Sequence, residues 1–274
     1  MKPHALTKHS LILSLVLLIP FGRSWSQVAA PNDAGVALGH VHLHVRDVEA
    51  NRKFWAELGG TAARLDGTTV MKFPGLLIFL SQGAPSGDNE DAVVNHIGFY
   101  LQDFDKSVAQ WQATGMKMSD LARRPNRKAG YVYTPDNLKV EIAETSDSPK
   151  SLPIVNDHMH YYLVEGAGQE MLNWYAKMFG GELGASGGNP HVIIPGVRIR
   201  FSVAEKAQAP IKGRALGHIG FEVKNLEAFC RKLEANGVRF DEPYSKTRHS
   251  GYSSAMLTDP WGTSIELTEG LSGL

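Results

Sequence analysis

The chain has 274 residues, and its 28 Lys and Arg are balanced by 28 Asp and Glu, so no charge excess points to nucleic acid or to an anionic membrane. The expected partner is instead a small-molecule substrate or ligand held in a pocket. The only cysteine, Cys230, permits no internal disulfide, which leaves stability to packed cores.

At the N-terminus, Lys2 and Lys8 precede an apolar run from Leu11 to Phe21, followed by Ser24 and Ser26. That is the layout of a secretory signal peptide over residues 1–26, with cleavage between Ser26 and Gln27. It predicts export to the periplasm or the extracellular space. The run is short for a bilayer span, so no stable membrane span is expected after cleavage; an uncleaved N-terminal anchor is the alternative. Residues 27–37 read as a linker.

From His40 onward one pattern occurs four times, beginning "HVHLHV" at His40, "HIGFYL" at His96, "HMHYYL" at His158 and "HIGFEV" at His218. Each start has the period-two alternation of a strand, and the dozen residues after it have helical spacing. Phe104, Val108 and Trp111 share one helix face, as do Leu226, Phe229 and Leu233. Glycines stop the helices at Gly59, Gly115, Gly180 and Gly237, and each is followed by short β-rich runs broken by turns. One strand, one helix and about three strands make the unit. Each sheet would then have one face covered by its helix and the other open, so that two units form a cup. The polar, proline-containing segment "ETSDSPKSLP" separates units two and three. The expected organisation is α+β: a first module over 38–145, a linker over 146–154 and a second module over 155–270.

His40, His42 and His44 alternate along the first strand and so face one side, the open one. Glu141 and Glu266 each lie on a final strand, six residues beyond a turn proline and flanked by apolar neighbours, so they too point away from the helix-covered side. Histidines and a glutamate converging from separate strands are the ligand set of a divalent transition-metal site with open positions. Trp55, Trp111, Trp174 and Cys230 read as core, and His191 is given no role.

The His-x-x-Leu-x-Val-x-Asp spacing at His40, a second His opening unit two, and Pro-Asp-Asn-x-x-Val-Glu closing it resemble the vicinal oxygen chelate superfamily. That group contains glyoxalases, extradiol dioxygenases and the fosfomycin and bleomycin resistance proteins. The resemblance runs from His40 to Glu269 and implies tandem βαβββ units paired into two open eight-stranded cups. It implies metal ligands His40, His96 and Glu141 in the first module and His158, His218 and Glu266 in the second, with His160 as an alternative to His158. A fourth ligand position falls on Phe79 and Arg200, so the sites are expected to be three-ligand and open. Extradiol members carry a further His and Tyr before the last turn; His249 matches the first, whereas Met256 stands at the second. The expected function is a divalent-metal enzyme of lyase, isomerase or dioxygenase type that chelates adjacent oxygens of a small substrate. Iron(II) or manganese(II) is the expected metal, with zinc or nickel as alternatives. The second module is favoured, with Glu266, His249 and Arg200 as its catalytic residues and Arg200 positioned to hold a substrate carboxylate. A non-catalytic binder that sequesters a small molecule stays open, as does a homodimer formed through the cup rims.

Overall fold

The computed structural model of the protein describes residues 28–186, 188–246 and 251–271; the expected signal segment and His249 lie outside them. All four expected units are present. Unit one comprises β1 (Val36–Val45), α1 (Val48–Glu57), β2 (Thr61–Leu65), β3 (Thr68–Phe73) and β4 (Leu76–Gln82). Unit two comprises β5 (Val94–Leu101), α2 (Phe104–Ala113), β6 (Met118–Arg124), β7 (Arg127–Tyr133) and β8 (Lys139–Thr145). Unit three comprises β9 (Ile154–Leu163), α3 (Ala167–Phe179), β10 (Glu182–Ser186), β11 (Asn189–Ile194) and β12 (Val197–Val203). Unit four comprises β13 (Leu216–Val223), α4 (Leu226–Ala235), β14 (Phe240–Lys246), β15 (Ser253–Thr258) and β16 (Ser264–Glu269).

Three of the four helices start where the sequence supplies a side-chain cap. Asp47, Asp103 and Asn225 each accept a hydrogen bond from the backbone N–H three residues on, which satisfies a donor that the helix cannot. Their apolar stripes are the expected ones: Phe104, Val108 and Trp111 are buried on α2, and Leu226, Phe229, Cys230 and Leu233 on α4. No helix among the described residues is long and apolar enough to cross a membrane.

Two open eight-stranded sheets result, but the units pair crosswise. One sheet runs β14-β15-β16-β13-β1-β4-β3-β2 and the other β10-β11-β12-β9-β5-β8-β7-β6. Unit one therefore shares its sheet with unit four, and unit two with unit three, in place of the expected neighbours one with two and three with four. The two joints are antiparallel pairings of opening strands, β1 with β13 and β5 with β9. Backbone ladders are blind to sequence, and all four opening strands offer similar edges, so the repeat alone does not select the pairing.

The links between units do. Residues 83–93 and 204–215 cross between the sheets side by side and bond to one another. Ser86 donates its N–H to the Gly213 carbonyl, Ala215 to Gly87 and Val93 to Ala209. Asn89, almost wholly buried, donates to the Val94 and Leu216 carbonyls and accepts from the Leu216 N–H. The helix-side faces of both sheets feed one continuous core, in which Trp55 of α1 packs on Phe99 of β5 and Phe179 of α3 on Phe221 of β13. The aspartates of the two proline turns complete the join: Asp136 accepts from Asn51 of α1 and Asp259 from Tyr175 of α3.

Candidate metal centres

Along β1, Val41, Leu43 and Val45 enter the core, while His40, His42 and His44 face the open side of the sheet. The same alternation in every opening strand, combined with the crossed pairing, gathers two clusters. The first contains His40, His218 and Glu266; the second contains His96, Glu141, His158 and His160. In each, the nitrogen and carboxylate donors lie within 4.8 Å of one another. All six expected ligands therefore converge, but with exchanged partners: His218 and Glu266 join His40, and His158 joins His96 and Glu141. Arg200 changes site accordingly, because it stands with Glu141 rather than beside Glu266.

The cups correspond position by position. His40 lies over Gly220 as His158 lies over Gly98; in both places a Cβ on the glycine would sit 2.0 Å from the imidazole, so only glycine leaves room for the ring. His42 is bonded through Nε2 to Ser81 Oγ at 2.6 Å, and His160 to Ser202 Oγ at 2.8 Å. Met256 stands across from Glu266, and Tyr131 across from Glu141. Phe79 neighbours His42 in the ladder, and Arg200 neighbours His160, which places both at the expected fourth position.

The chemistry of the two cups differs. In the first, Nε2 of His40 and of His218 contact Glu266 Oε2 at 2.8 and 3.1 Å. The residue before each histidine is glycine, Gly39 or Gly217, and His40 Nδ1 is buried with no partner. Burial lowers the His218 pKa, and burial with the neighbouring His218 and His40 brings that of His42 to about 3. The cup is filled by an apolar cluster of Val70, Leu77, Phe79 and Leu271, with Leu65 and Tyr252 against it.

In the second cup the residues before the histidines are polar, and they fix the tautomers. Asn95 donates its Nδ2 to the carbonyls of Asn89 and Glu90, so its Oδ1 faces His96 Nδ1 at 2.9 Å and takes that proton. Burial lowers the His96 pKa to about 4, so at neutral pH its Nε2 is a lone pair, aimed at Glu141 Oε2 3.1 Å away. His158 Nδ1 bonds to Asp157 Oδ2 at 2.8 Å, and its Nε2 accepts from Arg200 Nη2 at 2.7 Å. Burial opposes the charge on Glu141, but its polar and charged partners, the Arg200 guanidinium among them, outweigh it and hold the carboxyl far below its usual range.

Two imidazole lone pairs and an ionised carboxylate oxygen thus face one point. Such a set is mutually repulsive without a cation at its centre, and it fits a divalent metal ion. Histidines whose other ring nitrogen is held by a carboxylate or amide are the usual form of metal-ligating histidine. Arg200 Nη2 reaches into this centre, donating to Glu141 Oε2 at 3.0 Å as well as to His158, and Arg127 bonds Glu141 Oε1 from the other side. In front lies a cleft of about 480 Å³ lined by Arg127, Tyr131, Asn189, Arg200 and Ser202. Burial pushes the Tyr131 hydroxyl up to about 12, which keeps it protonated.

Sequence reasoning missed Arg127, Tyr131, Asn95 and Asp157. Tyr131 was findable: it precedes Pro135 by four residues, as Met256 precedes Pro260. The dipeptides Asn95-His96 and Asp157-His158, set against Gly39-His40 and Gly217-His218, were a second signal.

Two open cups of paired βαβββ units, each with a histidine-glutamate cluster on its concave face, define a class of small-molecule site on mixed sheets. Residues 157–267 match the family model described as Glyoxalase/Bleomycin resistance protein/Dioxygenase superfamily. The whole fold is similar to glyoxalase I from Zea mays, with a TM-score of 0.68 and 13% identity over 87% of this chain and 94% of that one. It is also similar to a candidate dioxygenase from Bacillus subtilis, with a TM-score of 0.63 and 13% identity over 88% and 86% of the two chains. No curated protein matches the chain in sequence. The family match thus covers residues 157–267, and the two-module fold of the whole chain is the one these solved structures share.

Proposed function

We propose that the second cup is the active centre of a divalent-metal-dependent enzyme acting on a small substrate with two adjacent oxygens. The observation that carries this is the tautomer locking by Asn95 and Asp157, which turns both histidine Nε2 lone pairs toward Glu141. A metal held by His96, His158 and Glu141, iron(II) or manganese(II) in preference to zinc, would act as a Lewis acid that chelates the adjacent oxygens and stabilises the anion formed. Around it, the protonated Tyr131 is placed to donate a hydrogen bond to a substrate oxygen. His160 stays neutral, its pKa brought to about 2 by burial and by His96 and His158, and its buried Nδ1 has no protein partner. The residue at the fourth position is Arg200, which binds no metal, so the three-donor face stays open for substrate. That openness and Tyr131 favour dioxygenase-type chemistry over the lyase and isomerase types. We also propose that the chain is exported through its N-terminal segment, since Lys2, Lys8 and the run from Leu11 to Phe21 have signal-peptide layout. N-terminal sequencing of the exported protein checks this, and an intact Met1 end would count against cleavage.

The test is metal content per chain, by elemental mass spectrometry on anaerobically purified protein. About one iron or manganese is expected, lost in His96→Ala and in His158→Ala and kept in His218→Ala. Loss in His218→Ala alone would move the centre to the first cup. No metal after reconstitution would sink the enzyme reading and leave the sequestering binder.

A further inference from the structure

We propose that the second cup selects substrates carrying a carboxylate beside their chelating oxygens, and that Arg200, assisted by Arg127, binds that carboxylate. This inference rests on the metal reading above and names the substrate class of the same site.

The molecule contains its own control. The position of Arg200 in the second cup is occupied in the first by Phe79, on the matching strand and beside the matching histidine. The architecture is therefore built without a guanidinium at this place, and Arg200 is not required for the sheet to form. Its present contacts are those of a cation in a metal's place: Nη2 donates to Glu141 Oε2 and to His158 Nε2, while Nε is buried with no partner.

Those two acceptor atoms can serve a metal only if the arginine releases them. Like charges then force the guanidinium away from the centre, while β12 keeps its backbone at the cleft wall. Arg127, bonded to the other oxygen of Glu141, is left near the same wall with its carboxylate partner shared. Asp157 is already engaged by His158, with Arg198 3.7 Å away. A divalent ion added to this cup raises an excess of positive charge that its two buried carboxylates cannot neutralise, and a partly buried cation without a counter-charge is costly. A substrate carboxylate supplies the counter-charge, and the planar fork of a released arginine matches its two oxygens. The cleft of about 480 Å³ admits a small molecule, with Asn189, Tyr131 and Ser202 as additional polar contacts.

The test compares two chelating probes on the metal-loaded protein by anaerobic calorimetry: catechol, and 2,3-dihydroxybenzoate, which adds a carboxylate beside the same oxygens. Wild type should bind 2,3-dihydroxybenzoate at least about tenfold more tightly than catechol. Arg200→Gln should bring the two within about twofold, the ratio being taken on protein loaded with metal to the same content as wild type. Arg200→Phe, which copies the first cup, is the second variant should the glutamine variant fold poorly. A metal-loaded wild type without the preference, or a preference that survives in a folded Arg200 variant, overturns the carboxylate site and leaves the metal reading intact. A chain that takes up neither metal nor probe overturns both.

Discussion

Gly98 places no side chain between β5 and the His158 ring, and a Cβ there would lie 2.0 Å from Cε1. Gly98→Ala must therefore push the imidazole out of the centre, and metal content should fall sharply while circular dichroism stays native. Retention of full metal would show that His158 is not a ligand. Asp157→Ala removes the acceptor that fixes the His158 tautomer, and a loss of metal affinity of about 10–100-fold is expected, measured by competition with a chelator. Acid should weaken the metal-free protein in a definite window. The folded chain holds His96 near pKa 4 and His42 near 3, below the ordinary value of 6.5, so the unfolded chain takes up these protons first. Their contribution is complete above about pH 6.5 and declines as pH falls toward 4; Glu141 and Glu266, held low, extend the loss below about pH 4.5. Denaturant midpoints of metal-free protein at several pH values read this directly, and a flat profile between pH 7 and 4 would contradict it. At this scale the sequence was informative: alternation on the four opening strands and on the two closing strands of units two and four singled out every histidine and glutamate of both clusters. It did not reveal Arg127, because an arginine opening a strand looks like an ordinary solvated cation until the carboxylate across the sheet is known.

The helices and strands were legible because each unit repeats an amphipathic stripe and a stop glycine, three of the four add a side-chain cap, and local signals suffice for local structure. What joins the elements was not legible. The links over 83–93 and 204–215 resemble ordinary polar loops, and the decisive group is the side chain of Asn89, whose buried amide ties both links together. Asn89→Ala would leave the Leu216 N–H and carbonyl and the Val94 carbonyl without that partner. Buried unsatisfied groups of this kind cost about 1–3 kcal/mol each at most, and part is recovered by relaxation, so a loss of about 2–3 kcal/mol is expected. Urea unfolding measures it, and a change under about 0.5 kcal/mol would mean that the links are held by their backbone bonds alone. Asn89 also accepts from Asn95 through its carbonyl, and Asn95 orients His96, so the same variant tests whether the crossover and the centre are coupled. The backbone carbonyl remains in the variant, so metal affinity should change less than stability does.

At the scale of the whole chain, the crossed pairing makes the two halves of the sequence mutually dependent. A polar, proline-containing segment between units two and three suggests two successive domains, yet it only connects β8 to β9 within one sheet. Residues 28–150 alone would hold four strands of each sheet and would expose the edges of β1 and β5 that β13 and β9 cover in the intact chain. Long exposed edges with apolar residues on one face associate. The core does not divide either, because one continuous buried cluster runs through both halves, and Leu38 and Asn32 of this half donate to the Pro195 and Phe179 carbonyls of the other. The ligands divide in the same way: His96 and Glu141 lie in the first half and His158 in the second. The fragment 28–150 should therefore oligomerise or aggregate in size-exclusion chromatography and take up no metal, whereas co-expression with residues 151–274 should restore a one-to-one complex that does. A monomeric fragment with cooperative unfolding would instead mean that each half closes its own cup, pairing β1 with β5. In that case His40 would meet His96, and metal binding by the fragment alone would follow.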